Sequence, residues 1–196
     1  MTKKLWEASK EVKKNSNLFA FENFLSKRFK KKFQNNYKKI QKWSIKNSAD
    51  FWDSFWDFSK IKGEKGKKKI KKSKIFFKNL FLPKSKLNFA ENLLSKNNNQ
   101  KAVTFISENG YREERNWNEL NLNVGKISNY LKNNGIKKGD RIVAYMSNTI
   151  ETVEAFIATV SLGAIWSSCS PDFGIKGVEE RFAQIKPKLL FVTNNY

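Results

Sequence analysis

The ten residues from Ile165 to Gly174, "IWSSCSPDFG", gather the side chains of this sequence best suited to chemistry: three serines, the only cysteine, an aspartate and a glycine. A nucleophile, a magnesium carboxylate and a plain turn would each use such residues, and the rest of the sequence decides among them. Cys169 as a nucleophile needs a base or an electropositive niche to form thiolate, yet the 196 residues contain no histidine. Ser167, Ser168 and Ser170 lack a G-x-S-x-G elbow. Asp172-Phe173-Gly174 spells the tripeptide with which protein kinases hold magnesium. No G-x-G-x-x-G loop accompanies it, and H-R-D cannot occur without histidine. No catalytic, cofactor-binding or metal-binding residue is therefore assigned. What remains is geometry. Pro171 and Gly174 suit a turn after a strand, and Ser170 and Asp172 suit hydrogen bonds to local backbone N–H groups at the start of a helix. Trp166, Ser170, Pro171, Asp172, Phe173 and Gly174 are expected at a turn that shapes a pocket wall. Direct contact with a ligand is the alternative, and both stay open.

The elements that would position this turn are legible around it. "AVTFISENGYREERNW" reads as a β-hairpin whose Asn109-Gly110 pair suits a type I′ turn. Asn116 and Glu119 have the spacing of a capping box for a helix carrying Leu120, Val124, Ile127 and Leu131, which Gly135 closes. "RIVAYM", "AIWSS" and "KLLFVT" are strand-like. Between them lie the helical runs "NTIETVEAFIATVSLG", stopped at Gly163, and "IKGVEERFAQI". Strand–helix alternation with short connections implies a parallel sheet covered by helices, and ligands of such sheets lie beyond the carboxyl ends of the strands. The alternation is still in progress at Tyr196.

The first hundred residues have another texture. They hold 27 Lys and Arg against 8 Asp and Glu, whereas residues 101–196 hold 12 against 10, so the net charge of +21 resides almost wholly in the first half. Only Arg28, Arg112, Arg115, Arg141 and Arg181 are arginine, and selected phosphate or base contacts favour that planar fork. A solvated lysine surface is the expected reading. "NLFAFENFLSKRFKKKF" places Leu18, Phe21, Leu25 and Phe29 at helical spacing, a face that packs on its own protein or lies on a membrane. "SADFWDSFWDF" reads as a helix with Ser48 as N-cap, whose many rings need a large apolar partner. Residues 60–74 have little to bury and repel themselves, so a mobile surface loop is expected. "SKNNNQK", around residues 95–101, reads as a linker. One cysteine and no histidine exclude an internal disulfide and Cys/His zinc sites. With no apolar signal core in "MTKKLWEASKEVKK" and no apolar run of membrane-span length, a reducing, cytoplasmic setting is expected.

Several phrases carry a resemblance: "LWEAS", "WSIKNSADFW", "LNFAENLL", "GDRIVAYMSN" and "ATVSLGAIWSSCSPDFGIKGVEERFAQIKPKLLF". Together they resemble the acetoacetate–CoA ligase branch of the acyl-adenylate-forming (AMP-binding) superfamily. The likeness runs from Leu5 to Tyr196 and covers about the N-terminal third of a member. Ala8 stands where proline is usual, Ser147 interrupts a Pro-Asn turn, and residues 60–74 have no counterpart that aligns. The resemblance implies an α/β fold: a helical, aromatic-rich N-terminal cap over residues 1–98, then at 99–196 the first β-hairpin and parallel strand–helix units of an incomplete AMP-binding domain. It implies a ligase that joins acetoacetate to coenzyme A, using ATP and Mg2+. Carboxylate attack on the α-phosphorus gives acyl-adenylate and pyrophosphate, and coenzyme A then displaces AMP. The family's Ser/Thr/Gly-rich phosphate loop, its later carboxylates and its C-terminal lysine have no match here. These residues alone are therefore expected to be inactive and to bind none of those cofactors. Acetoacetate, ATP and coenzyme A are the expected partners of the full-length protein, with no specific nucleic acid and no membrane. An acetyl- or propionyl-CoA synthetase is one alternative, and a basic module for nucleic acid or anionic surfaces is another.

Overall fold

The structure, a computed structural model, describes residues 5–193. The expectation that the alternation is still in progress at Tyr196 falls outside the described residues. The chain forms two compact units, Met1–Leu87 and Asn88–Tyr196.

In the first unit, α1 (Lys10–Lys14), α2 (Asn17–Phe29), α3 (Tyr37–Lys46) and α4 (Ser48–Phe58) precede a short antiparallel ribbon of β1 (Ile70–Lys71) and β2 (Leu80–Phe81). The face expected on α2 packs on its own unit. Phe21 and Leu25 are buried with Phe33, Ile40 and Trp43, and Phe29 packs against them, whereas Leu18 stays exposed. The rings of α4 find their partner in α2, since Phe21 lies 5.8 Å from both Phe51 and Phe55 and 4.9 Å from Phe58. Ser48 is not the N-cap. Asn47 occupies that position, and its amide nitrogen donates back to the Trp43 carbonyl at 3.0 Å, closing α3 as α4 begins.

Residues 60–74 differ from the self-repelling loop expected of them, because carboxylates spaced along α4 neutralise part of the strand of lysines. Lys65 Nζ pairs with Asp53 at 2.6 Å and Asp57 at 2.7 Å, and Lys69 Nζ pairs with Asp50 at 2.8 Å and Asp53 at 3.2 Å. Backbone bonds of 2.8 Å in both directions join Glu64 to Lys86. Gly63, at φ +145°, permits that approach, since a Cβ there would lie 2.4 Å from the Lys86 carbonyl oxygen.

The second unit begins before the linker expected at residues 95–101. Asn88 caps α5 (Phe89–Leu93), and its amide nitrogen also donates to the Val160 and Ser161 carbonyls, while Ala90 is buried in the main core. Next come β3 (Lys101–Ile106) and β4 (Arg112–Asn116), an antiparallel hairpin. Its connection is not the type I′ turn expected. The Ser107 N–H donates to the Tyr111 carbonyl at 2.9 Å, and only Gly110, at φ +83°, enters the left-handed region. The loop is thus three residues closed by a glycine, and the Asn109 carboxamide accepts from the Tyr111 N–H at 3.0 Å. The capping box of Asn116 and Glu119 is present at the start of α6 (Trp117–Asn133), and Gly135 follows that helix at φ +73°.

The sheet consists of β5 (Arg141–Tyr145), β6 (Ile165–Cys169) and β7 (Leu189–Val192), all parallel, in the order β6-β5-β7. The helices α7 (Ile150–Ser161) and α8 (Ile175–Ile185) connect them. Strand side chains alternate between faces. On one face Ile142, Trp166 and Phe191 join Leu120, Val124 and Leu131 of α6 and Ile157 and Ala158 of α7. On the other, Val143 and Cys169 pack with Phe182, Val178 and Ile185 of α8. The central strand is covered on both sides, which is why "IVA" is wholly buried.

Candidate functional site

The order of the strands places a crevice. From β5 the chain crosses by α7 on one face to β6; from β6 it crosses by α8 on the opposite face to β7. The helices that leave these neighbouring strands thus diverge, and the space between the carboxyl ends of β5 and β6 is a topological switch point, where open parallel sheets bind ligands. Two segments border it: residues 146–149 after β5 and residues 170–174 after β6.

The turn at 170–174 is built as its residue types suggest. The Phe173 N–H donates to the Ser170 carbonyl at 3.1 Å, and the Ser170 hydroxyl lies 2.6 Å from Asp172 Oδ2. The Ser170 hydroxyl also accepts from the Asp172 N–H at 3.5 Å, and the N-cap of the next helix is Gly174, in extended conformation. A residue that sequence reading passed over fixes the turn from outside: Tyr145, the last of β5, directs its hydroxyl at the Pro171 and Phe173 carbonyls, 2.8 and 2.9 Å away. Phe173 carries the Arg181 guanidinium 4.4 Å from its ring centroid, and Arg181 also donates to the Gly177 carbonyl at 2.8 Å. Pro171, Asp172, Phe173 and Gly174 therefore form one rim with Ser170. Trp166 does not join it. Its ring lies beneath the sheet between Phe156, at 6.0 Å, and Phe191, at 6.1 Å. Cys169 points to the opposite face and is buried against Val143 and Phe182.

Beside the segment after β5 lies a groove of about 650 Å³, bordered by β3 and by Ser147, Asn148, Thr149, Ile150 and Val153. A charged network ties the hairpin to α7. Arg115 Nη1 lies 2.6 Å from Glu113, its Nη2 3.6 Å from Glu151 and its Nε 3.5 Å from Glu154, and the Asn123 amide donates to Glu154 at 2.9 Å. Burial holds the Glu154 carboxyl above its ordinary range, against the opposing pull of Asn123 and Arg115.

This arrangement can shape and line a pocket. Among the described residues no three His, Cys, Asp or Glu side chains are gathered in a group that could hold a metal ion. No helix among them is long and apolar enough to cross a membrane.

Comparison with known proteins agrees with the fold. A family described as "AMP-binding enzyme" matches residues 90–196. The chain is 38% identical to acetoacetyl-coenzyme A synthetase of Rhizobium meliloti (strain 1021) over 98% of its own length and 29% of that protein. It is 41% identical to acetoacetyl-CoA synthetase of Gallus gallus over 80% of its length and 24% of that protein. The structure of acetoacetyl-CoA synthetase from Streptomyces lividans superposes with a TM-score of 0.89 at 23% identity, covering 97% of this chain and 30% of the other. The chain thus spans less than a third of the length of the curated relatives it matches. The resemblance read from the motifs is upheld, and so is the α/β fold.

Proposed function

The chain belongs to the AMP-binding enzyme family, and from that premise we propose that it forms the N-terminal part of an ATP-dependent acid–thiol ligase. The ligase joins acetoacetate to coenzyme A through an acyl-adenylate. One observation carries the choice of acid: the 38% identity to an acetoacetyl-coenzyme A synthetase extends over 98% of the chain, helical unit included. The role of these residues is architectural. They supply the central strand, its two neighbours and the rim at 170–174 that walls the switch-point crevice. ATP, magnesium and coenzyme A belong to the proposed activity of the whole protein, and their phosphates and metal are held by groups outside these residues.

A hybrid enzyme tests this reading. Residues 1–196 replace the matching 29% of the Rhizobium meliloti synthetase, and AMP release is measured with acetoacetate, acetate and propionate in turn. The proposal expects release driven by acetoacetate and dependent on coenzyme A. A hybrid that melts like its parent but works with acetate or propionate instead overturns the choice of acid. One that folds and releases no AMP with any of them overturns the ligase assignment.

A further inference from the structure

We propose that the tip of the β1–β2 hairpin, residues 72–79, is a docking element for an anionic lipid surface. Phe76 and Phe77, side by side on a turn of 3-10 helix, are 90% and 80% exposed. Two adjacent rings held in water form an apolar point that ordinary surface statistics do not require. The tip is not loose chain. Ile70 pairs with Phe81 and Lys71 with Leu80 at its base. Above that base Asn79 closes the loop: its carboxamide oxygen accepts from the Ser73 N–H at 2.9 Å, and its amide nitrogen donates to the Phe76 carbonyl at 2.8 Å. The Lys78 and Asn79 N–H groups bond to the Ile75 and Phe76 carbonyls at 3.0 and 3.1 Å. The Ser73, Ile75, Lys78 and Asn79 N–H groups thus carry bonds within the tip, which lowers the cost of bringing it to a poorly hydrated boundary.

Charge selects the surface. Lys71, Lys72, Lys74 and Lys78 are exposed around the two rings. No Asp or Glu occurs between Glu64 and Glu91, so nothing within the segment neutralises them. The lysines that do find carboxylates, Lys65 and Lys69, hold the base of the hairpin to α4. An apolar point ringed by uncompensated lysines combines the two contributions that bring a protein to an anionic bilayer: ring burial at the headgroup boundary and attraction to the lipid charge. The lysine stems can lie along that boundary with their ammonium groups in the headgroups. Single-stranded nucleic acid uses rings and cations too, but between Arg28 and Arg112 there is no arginine to pair with phosphates or stack on bases. The mode is peripheral, resting on a hairpin tip.

Flotation of the full chain with phosphatidylcholine vesicles containing about one-third phosphatidylglycerol, at low salt, tests the proposal. The chain floats with these vesicles and not with pure phosphatidylcholine. Phe76→Ser with Phe77→Ser lowers partitioning by about tenfold or more. Lys71, Lys72, Lys74 and Lys78 changed together to Gln lower it by a factor on the order of ten and flatten its salt dependence. Both variants keep the wild-type melt, since the altered side chains are exposed. A Phe77→Trp chain gives a direct readout: brominated lipid quenches its fluorescence beyond the quenching of the wild type. Failure to float with anionic vesicles overturns the proposal. So does unchanged flotation of the double-serine variant, which would leave only unspecific attraction by net charge. Phenylalanine-dependent retention on polyuridylate without vesicle binding would overturn it in favour of nucleic acid.

Discussion

The Tyr145 hydroxyl reaches from the carboxyl end of β5 to the turn that follows β6, 2.8 Å from the Pro171 carbonyl oxygen and 2.9 Å from that of Phe173. One side chain thus spans the switch point and fixes the rim of the crevice to the central strand. The hydroxyl shares a single proton between two carbonyls, so its removal takes one hydrogen bond from the rim. Tyr145→Phe is expected to cost about 1 kcal/mol, the net worth of such a bond, and to lower Tm by about 2–4 °C. Hydrogen exchange checks the location of the effect. The Phe173 amide, bonded to the Ser170 carbonyl, exchanges faster in the variant, while the amides of β5 do not.

The central strand carries the fold of the second unit. Ile142 has no exposed surface and sits in the main cluster with the α6 and α7 side chains. Ile142→Ala is expected to destabilise by about 3 kcal/mol, from lost transfer energy and the cavity left behind. Val192→Ala, at a half-exposed position of β7, changes stability by less than about 0.5 kcal/mol. Urea denaturation followed by circular dichroism measures both.

Asp53 links α4 to the lysine strap. Burial pushes its carboxyl up, but hydrogen bonds and charge from Lys65 and Lys69 outweigh burial and bring it below the ordinary aspartate range. A depressed value in the folded state stabilises the fold above the ordinary aspartate pKa, and that stabilisation disappears as pH falls through the depressed value. Asp53→Ala is therefore expected to cost about 2 kcal/mol at neutral pH. The gap to wild type narrows on acidification below the ordinary aspartate range. Thermal melts of both proteins across that range test the sign.

Glu154 behaves in the opposite sense. With its carboxyl raised by burial, the folded state gains from it fully below the ordinary glutamate pKa and loses that gain as pH rises through the raised value. Glu154→Gln keeps an acceptor for Asn123 and removes the buried charge, and Arg115 retains Glu113 at 2.6 Å. The variant is expected to equal or exceed wild type at neutral pH by up to about 1 kcal/mol, with the difference vanishing in acid. A variant clearly less stable at neutral pH would show that Glu154 works mainly as the ion partner of Arg115.

The second unit was the more legible half because its signals are local. The Asn116–Glu119 capping box, the glycine at 135 and the buried run "IVA" each specify an element from neighbouring residues. The turn at 170–174 was readable for the same reason, since it contains both Pro171 and Gly174. What the sequence concealed depends on residues far apart. Tyr145 meets Pro171 only once β5 and β6 lie side by side, and Trp166 leaves the rim because strand alternation turns its ring under the sheet. The lysine strap could have been suspected from Asp50, Asp53 and Asp57, which fall on one side of α4. Their partners lie across a loop, where periodicity carries no information. At the hairpin, Asn-Gly indicated the bend correctly, but the Ser107–Tyr111 pair that closes the ladder sets the loop length.

The proposed role of the rim, as a wall of the site of an acid–thiol ligase, is tested most directly by the kinetics of the hybrid enzyme with Phe173→Ala. Phe173 is partly exposed and lies on the rim beneath Arg181, so its ring can be removed without opening the core. With acetoacetate, KM for the acid or for coenzyme A is expected to rise by about threefold or more while kcat stays within about twofold, the signature of lost binding. Unchanged KM values for both substrates, in a hybrid that melts like its parent, would contradict the account.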